Sequence, residues 1–114
     1  MTDIIKIGSK EVGMTANGAS PYIFKQIFKR DFLKESMKTA EAGEMDIDLV
    51  VCMGFVMAVQ YQQGTTAALK KTQDDFAAWL ENFGLFDVQL AAGQIADLWG
   101  LSSGTTSNPK KEAG

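Results

Sequence analysis

The sequence predicts a mainly α-helical fold: a small bundle of about four helices with a short N-terminal β hairpin or arm and a disordered C-terminal tail. Two observations lead to this prediction. Apolar residues recur at helical spacing through most of residues 21–99, whereas two short β-rich runs precede them and a polar stretch follows. The 114 residues and 46% hydrophobic content suffice for one core. We therefore expect a single helical domain with its β arm at residues 1–101 and a disordered tail at 102–114.

The N-terminal segment contains two short apolar runs on either side of the sequence "GSK". The first run is "IIKI", and the second carries Val12 and Met14. Short β-rich runs that flank a glycine-containing turn are typical of a hairpin. Because an isolated hairpin is only marginally stable, we expect this segment to pack against the helices.

The first helix is predicted over residues 21–40, with Ser20 as its N-cap and a proline in its first turn. The spacing places most of its apolar residues on one broad face; these residues are Tyr22, Ile23, Phe24, Ile27, Phe28, Phe32, Leu33 and Met37. Gly43 then breaks the pattern, and Asp46 or Asp48 can cap a second helix with the sequence "IDLVVCMGFVMAVQYQQ". That helix is apolar on nearly every side, which predicts a central position in the bundle.

A loop is predicted over residues 63–71, followed by a third helix that begins with Thr72 and Asp75 as a capping box. Its apolar residues are Phe76, Trp79, Leu80 and Phe83, and Gly84 is the expected stop. Asp87 is the predicted cap of a fourth helix. The apolar positions of that helix are Val88, Ala91, Ala92, Ile95, Leu98 and Trp99, and Gly100 with Leu101 would form its C-cap.

Composition argues against several functions. The formal net charge of −3 and pI of about 4.8 disfavour general binding to nucleic acid. The chain has no histidine, and its single cysteine, Cys52, lies in the apolar second helix, where we expect a small buried hydrophobe. The longest apolar segment, residues 49–59, is too short to span a membrane, and no secretory signal precedes it. We therefore predict no catalytic, cofactor-binding or metal-binding residues, and no enzyme activity.

One face of the first predicted helix is basic although the whole chain is acidic. Its cationic residues are Lys25, Lys29, Arg30, Lys34 and Lys38. Asp31 and Glu35 lie between them, and such mixed signs weaken a phosphate-binding footprint. The sequence leaves two main alternatives open: a solvated face with ion pairs, or a docking surface for an acidic or amphipathic protein segment.

Aromatic and methionine side chains provide further candidates for a binding surface. Trp79, Phe83, Phe86 and Trp99 form an aromatic set on the last two predicted helices. Most of this set should be core, but tryptophan and similar side chains also anchor protein interfaces. Met53 and Met57 either fill gaps in the core or line an adaptable groove. As protein-binding residues we predict Lys25, Lys29 and Arg30 for charge complementarity, and Trp79, Phe83 and Trp99 as apolar anchors.

Several stretches together resemble a known family. They are the arm "IGSKEV", then "NGASPYIFKQIFKRDFLK", the apolar central helix, "FAAWLENFGLFDV", "QIADLWGL" and a polar tail with "NPKK". This pattern is similar to the tail assembly chaperones of long-tailed bacteriophages and prophages, especially those of Gram-positive hosts. The resemblance covers most of the chain but includes no catalytic signature.

The resemblance implies a non-enzymatic protein that binds the tape measure protein, keeps it soluble and helps the tail tube polymerise around it. Such a chaperone acts in the cytoplasm of the infected host and is absent from the mature virion. The tail tube protein is a second expected partner, through the tail from Ser102, and an unpaired edge in the β arm would favour homo-oligomers. The alternative function is a small structural head–tail or tail completion protein that stays in the virion.

Overall fold

The computed structural model of the chain describes residues 1–99, in which a β hairpin precedes seven helices. The elements are β1 (Thr2–Ile7), β2 (Lys10–Thr15), α1 (Ser20–Phe28), α2 (Phe32–Ala42), α3 (Ile47–Gln63), α4 (Thr65–Ala68), α5 (Gln73–Leu80), α6 (Asp87–Leu90) and α7 (Ala92–Trp99). The mainly helical fold with an N-terminal hairpin is confirmed, whereas the expected number of about four helices is wrong. The predicted cap at Gly100 and Leu101 and the predicted tail at 102–114 lie outside the described residues.

The two strands form an antiparallel hairpin with a two-residue turn, and the register runs from Thr2 opposite Thr15 to Ile7 opposite Lys10. Gly8 begins the turn with a φ of +63°, as a type II′ turn requires, and glycine adopts this angle without steric cost. Ile7 is fully buried beneath the hairpin, together with Ile5 and Met14. The prediction that this segment packs on the helices is confirmed, since β2 lies against α3 and β1 against α7.

Helix α3 is the centre of the fold. Asp46 is its N-cap and accepts a hydrogen bond from the N–H of Leu49 at 3.1 Å. Every residue from Leu49 to Gln60 is buried, because the hairpin and the other helices cover this helix on all sides. The central position is as predicted, and Asp46 is the cap among the two candidates, Asp46 and Asp48. Within residues 1–99, no helix has the length and apolar character needed to cross a membrane.

The predicted first helix is two helices, and a tight turn separates them. Lys29 ends α1 with φ 58° and ψ 35°, the left-handed conformation that non-glycine residues rarely adopt. Asp31 is extended, and its carboxylate accepts a hydrogen bond from the N–H of Lys34 at 3.0 Å. A continuous helix over residues 21–40 was therefore the wrong prediction, because Asp31 acts as an N-cap and starts α2.

This break changes which side chains of α2 face the core. Phe32 and Ser36 are the buried residues of α2, and the ring of Phe32 packs on Phe24 of α1 with centroids 5.2 Å apart. Leu33 and Met37 are instead 63% and 58% exposed. The single apolar face predicted for residues 21–40 is therefore split, and its second half contributes two large apolar side chains to the surface.

The segment between α3 and α6 also differs from its prediction in two places. Helix α4 lies inside the expected loop at 63–71, and α5 ends at Leu80 rather than near Gly84. The side-chain amide of Asn82 donates to the carbonyls of Ala78 and Trp79, at 3.3 and 3.1 Å, where α5 ends. The capping box of α5 is confirmed.

The predicted fourth helix is interrupted at Ala91, so α6 and α7 are separate. Phe86 occupies the N-cap position of α6, and Asp87 is the first helical residue rather than the cap. The carboxylate of Asp87 accepts a hydrogen bond from the N–H of Gly84 at 2.8 Å. It also lies against Gly8, where an added Cβ would be 2.4 Å from Asp87 Oδ2. Asp87 therefore joins the loop before α6 to the turn of the hairpin.

A buried polar network links the start of α1 to the end of α3. Ser20 is the first residue of α1, not its N-cap; its hydroxyl accepts from the N–H of Asn17 at 3.1 Å and donates to Oε1 of Gln60. The amide nitrogen of Gln60 donates to Oδ1 of Asn17 at 3.1 Å. Ser20 is completely buried, so this hydroxyl has no access to water as a substitute partner.

Gln60→Leu should destabilise the protein by about 1–3 kcal/mol, because it leaves the buried hydroxyl of Ser20 without an acceptor. Urea unfolding followed by circular dichroism measures the effect. Gln63→Leu is the matched control, since Gln63 is an exposed residue near the end of the same helix, and its expected change is below about 0.5 kcal/mol. Equal unfolding midpoints for the two variants would show that the network contributes nothing.

Candidate protein-binding surfaces

A continuous series of aromatic contacts runs through the core. The participating rings are Phe24, Phe28, Phe32, Phe55, Phe76, Trp79, Phe83 and Trp99, with centroids of neighbouring rings between 4.7 and 6.4 Å apart. Such tilted and edge-on pairs add attraction beyond that of the area they bury. The series ends with Trp99 on one side and Phe83 on the other, so two predicted anchors lie at opposite ends of it.

Trp79 and Phe83 lie together beside the hairpin. Their ring centroids are 5.1 Å apart, and both side chains are half-buried. With Tyr61 of α3, which is 48% exposed, they line an open groove of about 400 Å³ along β2. The ammonium group of Lys10 lies 5.6 Å from the ring centroid of Phe83, within range of a cation–π contact. We call this surface the aromatic groove.

The free edge of β2 borders the aromatic groove. Met1 and Ala16 exchange both backbone hydrogen bonds, each at 2.7 Å. Because hydrogen-bonded and non-hydrogen-bonded pairs alternate in an antiparallel hairpin, this pair fixes the type of every other pair. In this register the backbone groups of Glu11 and Gly13 point away from β1. The Tyr61 ring packs directly on the strand, since a Cβ at Gly13 would lie 2.2 Å from Tyr61 Cε1. Glycine at this position is what admits the ring.

Trp99 is not part of the aromatic groove. It packs on Phe32 with centroids 4.7 Å apart, and its side chain is half-buried. Its Nε1 atom is buried and has no hydrogen-bond partner in the described part of the chain. The structure therefore places Trp99 beside α2 and separates it from Trp79 and Phe83, with which it was predicted to act.

The basic residues lie around the turn between α1 and α2. Arg30 binds Glu35 through Nε, at 3.1 and 2.9 Å from the two carboxylate oxygens, and through a further contact from Nη2. This hydrogen bonding holds the pKa of Glu35 below its usual range and raises the pKa of Arg30. Lys29 and Arg30 line one shallow cleft with Lys34 and Lys38.

Of the predicted cationic residues, Lys25 lies away from that cleft. It is exposed on α1, one turn before Lys29, and its carbonyl accepts the N–H that ends the helix. Arg30 is engaged by Glu35, so the exposed positive charge beside it comes from the lysines that line the same cleft. The structure thus places Lys29 and Arg30 in the same cleft. Lys34 and Lys38 also line this cleft, although they were not among the predicted binding residues.

Large apolar side chains are exposed in two further places. Near α2 they are Leu33 (63%), Met37 (58%), Met45 (44%) and Ile47 (45%), and around α6 they are Leu85 (82%), Phe86 (62%) and Leu90 (82%). Phe86 was grouped with the other late aromatics, but it is on the surface. Leu33 and Met37 are among the apolar residues of the first predicted helix, most of which were expected on one face. The signal that could have corrected this was Asp31, an N-cap residue directly before Phe32.

Cys52 is buried in α3, with 8% of its surface exposed, as predicted. Burial in these apolar surroundings raises the pKa of its thiol from an ordinary 9.0 to about 11. A thiol with this environment is mostly protonated at neutral pH and is therefore a poor nucleophile.

This shift predicts a pH dependence of stability. In the unfolded chain the Cys52 thiol ionises near pH 9, whereas in the folded protein it stays protonated to about pH 11. The folded state therefore binds more protons in this window, and the free energy of unfolding falls as pH rises from 9 to 11. Cys52→Ala should remove this pH dependence, because the variant has no thiol at that position. The difference in free energy of unfolding between wild type and variant, measured by urea unfolding, should therefore narrow or reverse between pH 9 and 11. A constant difference would contradict the shift.

Comparison of the chain with protein-family models, with curated proteins and with solved structures gives no match. The function is therefore inferred from the residues and surfaces described above.

Proposed function

We propose that this protein is a phage tail assembly chaperone that binds the tape measure protein, keeps it soluble and helps the tail tube polymerise around it. The observation that carries the proposal is the amount of large apolar surface that the chain exposes although it has a well-filled core. Leu85 and Leu90 are each 82% exposed, and Leu33 and Met37 add a second apolar area. Exposed large apolar side chains mark candidate sites for binding other proteins.

The chemistry of these surfaces suits a helical partner with apolar stripes. Methionine and aromatic side chains adapt to varied apolar segments, and the aromatic groove adds Tyr61, Trp79 and Phe83. The surrounding lysines and acids keep the complex hydrated. In this proposal the protein has no catalytic role, works in the cytoplasm of the infected bacterium and leaves before the virion is complete.

Co-expression with the tape measure protein of the same genome tests the proposal. We expect the soluble fraction of the tape measure protein to rise, and several copies of the chaperone to co-purify with each chain of it. The triple variant Lys25→Glu, Lys29→Glu, Arg30→Glu tests the predicted basic residues, and Lys6→Glu, Lys70→Glu, Lys71→Glu is the charge-matched control. No gain in solubility and no co-purification would reject the proposal. Stoichiometric presence of the protein in purified virions would favour the tail completion alternative.

A further inference from the structure

The exposed face of α2 combines an apolar stripe with an adjacent basic stripe. Leu33, Met37 and Ala40 are spaced by four and three residues and therefore lie along one side of the helix. Lys34 and Lys38 follow the same spacing on the neighbouring side. All of these residues are exposed, because the turn at Lys29 and Asp31 directs only Phe32 and Ser36 of α2 inward. We call this surface the α2 face.

Within residues 1–99, neither Lys34 nor Lys38 forms an ion pair, although the charge of Lys38 acts on nearby Glu35. Arg30 and Glu35 form an ion pair, which leaves Glu35 committed to the guanidinium. The carboxylate of Asp31 caps the helix by accepting the backbone N–H of Lys34. Lys34 and Lys38 therefore present ammonium groups beside the apolar stripe, on a protein whose net charge is −3.

We propose that the α2 face binds an amphipathic helix whose apolar stripe is flanked by acidic residues. Helix α2 has no free backbone edge, so a partner gains only side-chain contacts from it and must satisfy its own backbone hydrogen bonds, as a helix does. A stripe with spacings of four and three residues accepts the complementary ridge of a second helix. The acidic flank follows from charge complementarity with Lys34 and Lys38.

This inference rests on the proposed function in one respect, since the tape measure protein would supply the helix. It also changes the predicted site, because the binding residues become Leu33, Met37, Lys34 and Lys38 instead of the anchors on α5 and α7. The order of charges along α2 also indicates where the acidic residues of the partner lie. Exposed Glu41 follows the lysines toward the C-terminus of α2, so acidic residues of the partner belong beside the first two turns.

Binding to designed peptides tests the inference with the full chain. The probe is a fluorescent helical peptide with leucines at helical spacing and glutamates beside them. A control peptide of the same design carries lysines in place of the glutamates. We expect the acidic peptide to bind the wild type at least about tenfold more tightly than the basic one. Lys34→Glu with Lys38→Glu should reverse this preference.

The apolar half of the α2 face is tested by Leu33→Gln with Met37→Gln, which should weaken binding of the acidic peptide by about tenfold or more. Ile4→Gln with Tyr22→Gln is the matched control, with apolar side chains that are 50% and 57% exposed outside the proposed binding surfaces, and it should bind as the wild type does. Thermal unfolding checks that all variants are folded. Equal affinity for both peptides, or equal losses in both glutamine variants, would overturn the proposal. The proposal would also be overturned if the wild type is a dimer that binds neither peptide and that Leu33→Gln with Met37→Gln dissociates.

The same variants separate this inference from the proposed function. If wild type and the Leu33→Gln, Met37→Gln variant solubilise the tape measure protein equally, the chaperone function stands and the α2 face is the wrong surface. If the acidic peptide binds through the α2 face but the tape measure protein stays insoluble, the surface is right and the proposed function is wrong.

Discussion

Phe24→Ala should lower the free energy of unfolding by about 3–5 kcal/mol, a large share of the roughly 5–15 kcal/mol that stabilises a small domain. Phe24 is completely buried, and its ring contacts Phe28 and Phe32 with centroids 5.1 and 5.2 Å apart. Removing the ring loses its transfer free energy and leaves a cavity that the surrounding rings fill only in part. It also removes the contact that holds the first turn of α2 against α1.

Urea unfolding followed by circular dichroism measures this loss, with Phe86→Ala as the matched control. Phe86 is the same residue type but is 62% exposed, so its change should stay within about 0.5 kcal/mol. If Phe24→Ala does not fold, Phe24→Leu provides a milder test, with an expected loss of about 1 to 1.5 kcal/mol. Similar effects of the two alanine variants would mean that Phe24 does not lie in the core.

The contact between Phe24 and Phe32 also matters for the proposed binding surface. Phe32 and Ser36 are the only buried residues of α2, so this helix depends on few contacts for its position. Phe32 lies between Phe24 and Trp99 in the series of rings. A substitution in the core at Phe24 should therefore also weaken peptide binding at the α2 face, through loss of position and without touching the peptide.

The elements that the sequence predicted well are those in which local signals and packing agree. Helix α3 is apolar on every side and preceded by Asp46, so both its start and its burial follow from the pattern. The hairpin has a glycine at the turn position that requires a positive φ. Thr72 and Asp75 satisfy each other's backbone at the start of α5, with bonds of 2.8 and 3.3 Å.

The break between α1 and α2 shows where sequence pattern was insufficient. Apolar spacing continues through residues 24, 28 and 32, as if one helix ran on. Lys29 has no intrinsic preference for the left-handed conformation, so nothing at that residue predicts the turn. The contact of Phe32 with Phe24 and the cap formed by Asp31 together favour the turn, and the first of these is tertiary. Asp31 is a local signal for the break, whereas the inward position of Phe32 depends on the tertiary contact.

The candidate site was predicted only in part for the same reason. Trp79 and Phe83 are spaced by four residues, so their side chains are expected to be neighbours at the end of α5. Tyr61 joins them because Gly13 leaves room for its ring, a relation between residues that are distant in sequence. Trp99 lies on α7 and packs on Phe32 of α2, in another region of the surface. Residue spacing within one helix predicts which side chains are neighbours, whereas contacts between different elements do not follow from spacing.

Gly54→Leu should destabilise the protein by about 1–3 kcal/mol, since it overpacks the contact between α3 and α7. Gly54 is buried in α3, and an added Cβ would already lie 3.1 Å from Cδ1 of Ile95 and 3.7 Å from Cε of Met14. Further atoms of leucine have no space there unless α7 moves outward. The intrinsic preference of helices for leucine over glycine, about 0.5–1 kcal/mol, offsets only part of this cost.

Gly93→Leu separates the two effects, because Gly93 lies in α7 with no atom within 4 Å of an added Cβ. There the helix preference acts alone, so this variant should be as stable as the wild type or more stable by up to about 1 kcal/mol. Thermal and urea unfolding of the two variants therefore give opposite signs if α3 and α7 meet at Gly54. A gain of stability in both would show that the two helices are farther apart, and that the core around Ile95 has room for a larger side chain.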